Sequence, residues 1–320
     1  MSRGFTFNRT MDWMGQNSAI AALVFLCVLG TIFLPTFPTK ANVVAILYQY
    51  AIIGFLALGQ LLVILTAGID LSQGSVVAFT SIVVAIMMQS YGIMASVVAG
   101  LVAATLLGVF NGFVVSRTRI PPFVVTLGML GIARGLAQLI SNAKPISIEV
   151  QSFNDFGRAN IFGFPLSALL LIITAALLWY FLKHRRFGRH IYAVGGSEES
   201  SRLSGVDVSH IKLLVYALSG LLTAVGGVIW TARLNSGSPI GAQNYELESI
   251  AAVIVGGGSL FGGVGTVMGT IVGILLFGVI NSLLNLVGIS PYWQGTIKGV
   301  LILLAVALSQ IRRPQQASQE

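Results

Sequence analysis

The chain has 320 residues, of which 55% are hydrophobic and only 9% are charged, and its mean hydropathy is +0.89. Because soluble domains contain about 25% charged residues, this composition excludes an ordinary water-soluble protein and predicts one embedded in a lipid bilayer. The net charge of +8 lies mostly in short loops between apolar runs, so it indicates membrane topology rather than nucleic-acid binding.

The first apolar run, residues 18–34, follows Arg3 and Arg9, as in a secretory signal. No small-residue cleavage site follows it, because residues 35–40 lead directly into another apolar run, so we interpret it as a retained first span. The single cysteine, Cys27, lies in this run. We expect it to be a small buried hydrophobe rather than part of a disulfide or a metal site.

A helix that crosses the hydrocarbon core of about 30 Å needs about 20 apolar residues. Clear candidates are the runs 18–34, 43–65, 93–115, 123–141, 166–182, 213–233, 266–287 and 292–310. Two further runs, 74–90 and 247–258, are shorter and interrupted by glycine. Since a helix satisfies its own backbone hydrogen bonds in lipid, the predicted fold is all-α, a polytopic helical membrane protein.

Positively charged loops mark the cytoplasmic side of a membrane protein. The basic loops are the N-terminal segment 1–17, Arg117 with Arg119, the segment 183–212 and the tail 311–320. All four lie in the cytoplasm only if both short runs also cross, which gives ten spans with both termini inside. We therefore predict one transmembrane domain over residues 1–320, in groups of four, two and four spans. Each group of four contains one short span, and paired interrupted spans can mark a transport pathway.

No constellation of residues for catalysis is evident. The sequence lacks a G-x-x-x-x-G-K-[ST] phosphate loop, so we expect neither ATP binding by that mechanism nor a cofactor on this chain. His184, His190 and His210 lie among arginines in the segment 183–212, where solvated loop side chains are a better interpretation than metal ligands. No serine, histidine and acid set on one side of the membrane suggests a triad.

Ionisable residues inside apolar runs are costly and are therefore candidates for function. Asp70, Arg134 and Lys298 can fix helix ends or pair with other charges. Alternatively, they are the coupling machinery of a self-sufficient secondary transporter or channel. Amide side chains suit a neutral polyol better, and interhelical hydrogen bonding explains them equally well. The candidate residues for a substrate pathway are Gln60, Asp70, Asn111, Asn281 and Asn285.

Two groups of glycines differ in their spacing. Gly265, Gly269 and Gly273 recur every four residues. This spacing predicts one helix face that a neighbouring helix can approach closely, with a sugar-lining role as the alternative. Residues 256–258 and 262–263 are all glycine, and each glycine costs a helix about 1 kcal/mol relative to alanine, so they predict a break between two spans.

The segment 183–212, which we call the coupling segment, is the longest predicted cytoplasmic loop. Gly195-Gly196 followed by Ser197 and Glu198 predicts the start of a helix with Ser197 as its N-cap, and Gly205 predicts its end. A short surface helix flanked by basic residues offers a docking element for a cytoplasmic partner. The topology rule alone also explains the positive charge.

Three segments resemble the permease subunits of ribose-type sugar ABC importers, in the branched-chain amino acid/ribose transport permease superfamily. They are residues 66–75 (TAGIDLSQGS), 187–205 and 245–263, and the resemblance extends from about residue 43 to residue 310. The match departs from the family at Ser197, where asparagine is usual, and at Ser200 and Ser201, near which alanine is usual.

This resemblance implies that two permease chains, identical or paralogous, form a channel in the bacterial plasma (inner) membrane. A separate cytoplasmic ABC ATPase, which holds ATP and Mg²⁺, docks on the coupling segment, and a periplasmic or extracellular binding protein delivers a ribose-like monosaccharide. The residues implied in ATPase coupling are Arg189, Gly195, Gly196, Glu198, Arg202 and Gly205. The sugar itself is not identified, because specificity resides largely in the binding protein.

Overall fold

The computed structural model describes residues 4–290, 292–300 and 303, with side chains from residue 19 onward. Its helices are α1 (Gly4–Phe33), α2 (Lys40–Leu65), α3 (Gln73–Arg117), α4 (Pro122–Ile140), α5 (Gln151–Arg158), α6 (Leu166–His184), α7 (Arg186–Gly196), α8 (Glu198–Leu203), α9 (Val208–Leu234), α10 (Tyr245–Val255) and α11 (Val267–Leu286). Residues 292–300 are also helical. Six helices are long and apolar enough to span a bilayer, namely α2, α3, α4, α6, α9 and α11. The predicted helical membrane fold is confirmed.

The helix bounds follow the apolar runs closely where a cap or a proline fixes them. The predicted runs 43–65, 123–141, 166–182 and 266–287 are helices to within three residues at each end. The predicted span 213–233 starts too late. Helix α9 begins at Val208, because Asp207 accepts the backbone N–H of His210 (3.0 Å) and caps the helix there.

The first helix is longer than predicted. The segment 1–17 was expected to precede the first span, but α1 begins at Gly4, and no proline interrupts the sequence before Pro35. The tail 311–320 and most of residues 301–310, at the end of the last predicted span, lie outside the described residues.

A single glycine divides α3. Gly92 has φ 73° and ψ 179°, which no helical residue adopts, so residues 73–91 and 93–117 form two helical parts joined at a kink. Each part is long enough, at 1.5 Å per residue, to reach across most of a core of about 30 Å. The break lies between the predicted runs 74–90 and 93–115.

Helix α2 is the centre of the bundle, and its residues from Tyr50 to Leu65 are buried. It packs against α9 on one side and against α10 and α11 on the other, while α9 also packs along α3. Side chains on the outer faces, such as Leu106 and Phe110, are apolar and about half exposed, as expected for helices that face lipid.

The two ends of the bundle differ in structure and in charge. One end carries two short antiparallel pairs: β1 (Ile146–Ser147) with β4 (Ser236–Gly237), and β2 (Asn160–Ile161) with β3 (Phe164–Pro165). The other end carries Arg117, Arg119 and the coupling segment, and we call it the basic end. These strands, α5 and α7 were not predicted from the sequence.

Candidate coupling and translocation site

Two interrupted helices meet inside the bundle. Non-helical residues 66–72 turn inward from the end of α2 and lead into α3, whereas residues 238–244 follow β4 and lead into α10. At the start of α3, Gln73 donates a hydrogen bond to the carbonyl oxygen of Leu56 (2.9 Å). Leu56 lies about 13 Å along α2 from its end, so α3 begins near the middle of a core of about 30 Å. Non-helical backbone is tolerated at that depth where protein buries it.

Side chains connect the starts of α3 and α10. The Gln73 amide accepts a hydrogen bond from Ser249 Oγ (2.7 Å) and donates one to Ser219 Oγ of α9 (3.2 Å). The Glu246 carboxylate lies against Gly74, where an added methyl group would overlap Glu246 Oε2. We call residues 70–74, Ser219 and 246–249 the mid-depth junction.

Asp70 is 3% exposed and organises the start of α3. Its Oδ1 accepts hydrogen bonds from the backbone N–H (3.0 Å) and the hydroxyl (2.6 Å) of Ser72, and its Oδ2 accepts one from Ser219 Oγ (3.2 Å). The prediction that Asp70 fixes a helix end is confirmed, because Ser72 immediately precedes α3.

The predicted pathway residues lie in two places. With its side-chain amide oriented to satisfy both groups, Gln60 donates to the carbonyl oxygen of Asp70 (3.1 Å) and accepts from its N–H (3.2 Å). Asn111 donates to Ser72 Oγ (3.2 Å), so three of the five residues come together around residues 70–72. All three are buried and held by protein groups.

Asn281 and Asn285 instead line a groove between α2 and α11 with a volume of about 80 Å³. This volume suits about two water molecules and is well below the roughly 300 Å³ of a small-ligand pocket. Asn285 also accepts a hydrogen bond from Gln294 (2.8 Å). Contact of any of the five pathway residues with a passing sugar stays a prediction.

The coupling segment contains two helices. The predicted helix is confirmed as α8: the Ser197 side chain accepts the backbone N–H of Ser200 (3.2 Å), and Gly205, with φ 82°, follows its end. The helix before it, α7, was missed because its arginines and glycines are typical of a loop. Buried Ile191 and Val194 anchor α7 on the core.

Gly195, at the end of α7, touches backbone on two sides. An added methyl group there would overlap the carbonyl oxygen of Leu65 and come within 2.5 Å of the Gly263 nitrogen. Gly263 in turn donates a backbone hydrogen bond to Leu65 (3.0 Å). The coupling segment therefore contacts the end of α2 and the glycine-rich loop 256–266 together. We call Leu65, Tyr192, Gly195 and residues 262–265 the coupling junction.

Tyr192 adds a side-chain hydrogen bond to this junction. Its hydroxyl donates to the carbonyl oxygen of Gly265 (2.9 Å). Burial raises the pKa of the Tyr192 phenol above its usual value, so the hydroxyl keeps its proton and remains a donor at neutral pH.

The remaining predicted coupling residues are exposed, whereas Gly195 is buried. Glu198 forms an ion pair within α8 with Arg202 (3.3 Å) and a second with Lys212 (2.6 Å), and the second pair connects α8 to α9. Arg189 is exposed on α7, and an added methyl group at Gly196 would meet no atom within 4 Å in the part of the chain that the structure describes. The two adjacent glycines, Gly195 and Gly196, therefore stand in opposite environments.

The predicted glycine face is wrong at Gly265. Thr266 accepts the backbone N–H of Gly269 (3.0 Å) and caps α11, so Gly265 lies before the helix with φ 155°. Gly269 and Gly273 do lie against α10, since added methyl groups would overlap the carbonyl oxygens of Gly256 and Ala252.

The three ionisable residues considered for ion coupling have separate partners. Arg134 donates to the carbonyl oxygens of Pro239 (3.0 Å) and Gly241 (2.8 Å). Lys298 pairs with Glu248 (2.6 Å), and Asp70 is held by serines. Each contact fixes a neighbouring segment, and none connects one of these charges to another.

Sequence reasoning missed Gln73, Ser219 and Ser249 as members of the mid-depth junction. Gln73 could have been found, because it lies in the glycine-flanked break that contains Asp70. Ser219 and Ser249 carry no such local signal, since their partners lie 146 and 176 residues away in the sequence.

Comparison with known proteins places these features in a family. The profile described as branched-chain amino acid transport system / permease component matches residues 42–306. The chain is 41% identical to a ribose import permease protein of Escherichia coli K12 over 303 residues, which cover 93% of this chain and 94% of that protein. It is 38% identical to a ribose import permease protein of Bacillus subtilis over 308 residues, 95% and 94% of the two chains.

An L-arabinose transport system permease protein of Escherichia coli K12 is 35% identical over 310 residues, which cover 97% of this chain and 94% of that protein. No solved structure matches the chain.

Proposed function

The chain belongs to the family of branched-chain amino acid transport system permease components, and on that premise we propose that it forms, with a second permease chain, the translocation pathway for a ribose-like monosaccharide. It is the permease subunit of an ABC sugar importer, as its ribose and arabinose relatives indicate. The observation that carries the proposed mechanism is the contact of Gly195 with both Leu65 and Gly263.

This contact connects the surface to the interior through two helices. From the coupling junction, α2 runs inward from Leu65 to Leu56, and α10 runs inward from the loop 256–266 to Glu246. Both helices reach the mid-depth junction. An ATPase that moves the coupling segment therefore displaces α2 and α10 together, and with them the start of α3, which is the kind of motion that alternating access requires.

We propose ten spans with the basic end in the cytoplasm. The six long helices, the division of α3 at Gly92, α1, α10 and the helix at 292–300 together supply that number. The contact of loop 256–266 with the coupling segment supports a crossing by α10. In a Cys27→Ser background, a cysteine at position 259 should react with an impermeant reagent only from the cytoplasmic side, and labelling from outside would exclude this arrangement.

A second permease chain is proposed to pack on α4. Gly128, Gly131 and Gly135 are exposed on it, and an added methyl group at each would meet no atom of the described residues within 4 Å. In lipid, exposed small residues allow a helix from another chain to approach closely. In the same cysteine-free background, Gly131→Cys should form a disulfide-linked dimer, whereas Ile173→Cys, on the exposed face of α6, should remain monomeric.

The other partners follow from the importer role. We propose that a cytoplasmic ABC ATPase binds ATP and Mg²⁺ and docks on α7 and α8, and that an external binding protein delivers the sugar to the bacterial inner membrane. Whether transport needs the permease, the ATPase and the binding protein together can be tested in proteoliposomes. Uptake of radiolabelled ribose should require the cognate ATPase, ATP and the binding protein. Uptake by this chain alone, driven by an ion gradient, would instead favour the secondary-transporter alternative.

Charge reversal on α8 tests the docking site. Glu198→Arg places a third cation beside Arg202 and Lys212, so we expect at least a tenfold loss of ATP-driven uptake with little change in the thermal midpoint. Glu199→Arg is the matched control, because Glu199 is exposed and forms no ion pair within the described part of the chain. Equal uptake by both variants would contradict docking on this face of α8.

A further inference from the structure

A basic cleft lies at the basic end and includes part of the coupling segment. It has a volume of about 420 Å³ and is formed by the end of α3, the connection to α4, α8 and the start of α9. Four cationic side chains line it, namely Arg117, Arg119, Arg202 and Lys212, and the carboxylate in its lining is Glu198. The lining therefore carries an excess of positive charge.

The four cationic side chains of the cleft differ in whether a carboxylate pairs with them. Glu198 pairs with both Arg202 and Lys212. Across the described ranges, 4–290 with 292–300 and 303, no carboxylate lies within ion-pair distance of Arg117 or Arg119. Both arginines are exposed. The N-terminus of α4, which has no side-chain cap, adds the positive end of a helix dipole. The two unpaired arginines and the helix N-terminus together favour binding of a phosphate group.

The cleft lies where membrane spans end. Helix α3 ends at Arg117, α4 begins at Pro122 and α9 begins at Val208, so we expect the cleft to lie at the boundary between hydrocarbon and headgroups. Nothing anchors a soluble anion at that depth, whereas the phosphate of a phospholipid is held there by its own acyl chains.

An apolar ridge leads from the cleft along α3. Leu106, Phe110 and Phe113 are each exposed by about half of their surface, and with Arg117 they recur at intervals of four, three and four residues, so they share one helix face. A phospholipid with its phosphate at Arg117 can therefore lay its acyl chains along this ridge.

From the cleft, its unpaired arginines and the ridge, we propose that this site binds an anionic phospholipid of the cytoplasmic leaflet, with Arg117 and Arg119 holding the phosphate. The proposal concerns lipid binding and does not depend on sugar transport. Since Glu198 and Arg202 of α8 share the cleft, the bound headgroup also stabilises the position of the coupling segment.

Native mass spectrometry of the full chain in detergent, titrated with phosphatidylglycerol or phosphatidylcholine, tests this proposal. Phosphatidylglycerol should bind at least tenfold more tightly. Arg117→Gln with Arg119→Gln should weaken its binding about twenty-five-fold, because each basic residue near a bilayer surface contributes about fivefold. Arg117→Lys with Arg119→Lys should retain most of it. The matched control is Arg185→Gln with Arg186→Gln, two exposed arginines outside the cleft.

Several results would overturn the proposal. These are equal binding of the two lipids, an equal loss in the control pair, or no loss in the cleft pair. Displacement of the lipid by 20 mM inorganic phosphate at constant ionic strength would identify a site for soluble anions. Displacement by the purified cognate ATPase would assign the cleft to protein docking.

Discussion

At the mid-depth junction, α3 and α10 are joined by side chains, whereas at the coupling junction α7 meets α2 and loop 256–266 mainly through backbone atoms. Gln73 and Ser249 supply the first kind of contact. Gly195 and Gly263 make the second kind possible, because they have no side chains. Both junctions contact α2, yet added atoms should disrupt the coupling junction, whereas removed atoms should disrupt the mid-depth junction.

This difference follows from what each junction does in the proposed mechanism. A contact that transmits displacement has to be rigid. Backbone atoms in contact are rigid because, unlike side chains, they cannot change rotamer. A contact that opens and closes has to be remade, and hydrogen bonds between hydroxyl, amide and carboxylate groups in membranes are individually weak, at about 0.6 kcal/mol on average. In the proposed mechanism, the coupling junction therefore transmits force and the mid-depth junction responds to it.

The largest effect is expected from filling the coupling junction. Gly195→Ala should destabilise the fold by about 3 kcal/mol, since the new methyl group overlaps a backbone carbonyl that cannot move without shifting α2. Thermal unfolding of the purified chain in detergent measures the loss of stability.

Gly196→Ala is the matched control for this change. It introduces the same methyl group at the next residue of the same helix, where nothing lies within 4 Å. It should be neutral or stabilising by up to about 1 kcal/mol, because alanine favours a helix over glycine. Similar losses of stability in the two variants would contradict the backbone contact at Gly195.

Local signals were sufficient for much of the fold. Apolar runs bounded by prolines or caps predicted α2, α4 and α6, and the Ser197 cap predicted α8. These features depend on neighbouring residues alone. The paired glycine interruptions also predicted unusual spans at 74–90 and 247–258, and the helices found there, starting at Gln73 and Tyr245, are the ones that meet at the mid-depth junction.

Contacts between distant residues could not be predicted in this way. Gly195 and Leu65 are far apart in the sequence, so nothing local distinguishes Gly195 from Gly196. The four-residue spacing of Gly265 and Gly269 suits a helix, but the cap formed by Thr266 excludes Gly265 from α11. Likewise, Glu248 and Lys298 are 50 residues apart, and only the packing of their helices pairs them.

An intermediate effect is expected from removing the Asp70 carboxylate from the mid-depth junction. Asp70→Ala should cost about 2 kcal/mol of unfolding free energy, because the N–H of Ser72 and the hydroxyls of Ser72 and Ser219 lose a buried acceptor. Asp70→Asn keeps an acceptor toward Ser72 and can donate to the Ser219 oxygen, so it should cost less than about 1 kcal/mol. Chemical denaturation in detergent measures both.

The same pair of variants tests the alternative function. If Asp70 serves only to fix the start of α3, ATP-driven uptake should follow stability, and Asp70→Asn should retain most of it. A stable Asp70→Asn protein without uptake would show that the carboxylate charge itself is needed, as in a carrier coupled to ions.

The smallest effect is expected from a single hydrogen bond across the mid-depth junction. Ser249→Ala removes the hydroxyl that donates to Gln73 Oε1 (2.7 Å) and that also lies 2.8 Å from the carbonyl oxygen of Glu246 in its own helix. The loss across the junction should be about 0.6 kcal/mol, the average for such bonds in membranes. Thr231→Ala is the control, since Thr231 donates only within its own helix, to Gly227 (2.7 Å). A double-mutant cycle of Ser249→Ala with Gln73→Leu should give a coupling energy of the same size. A value several times larger would mean that the junction is as rigid as the glycine contacts at the coupling junction, and that the two junctions move as one body.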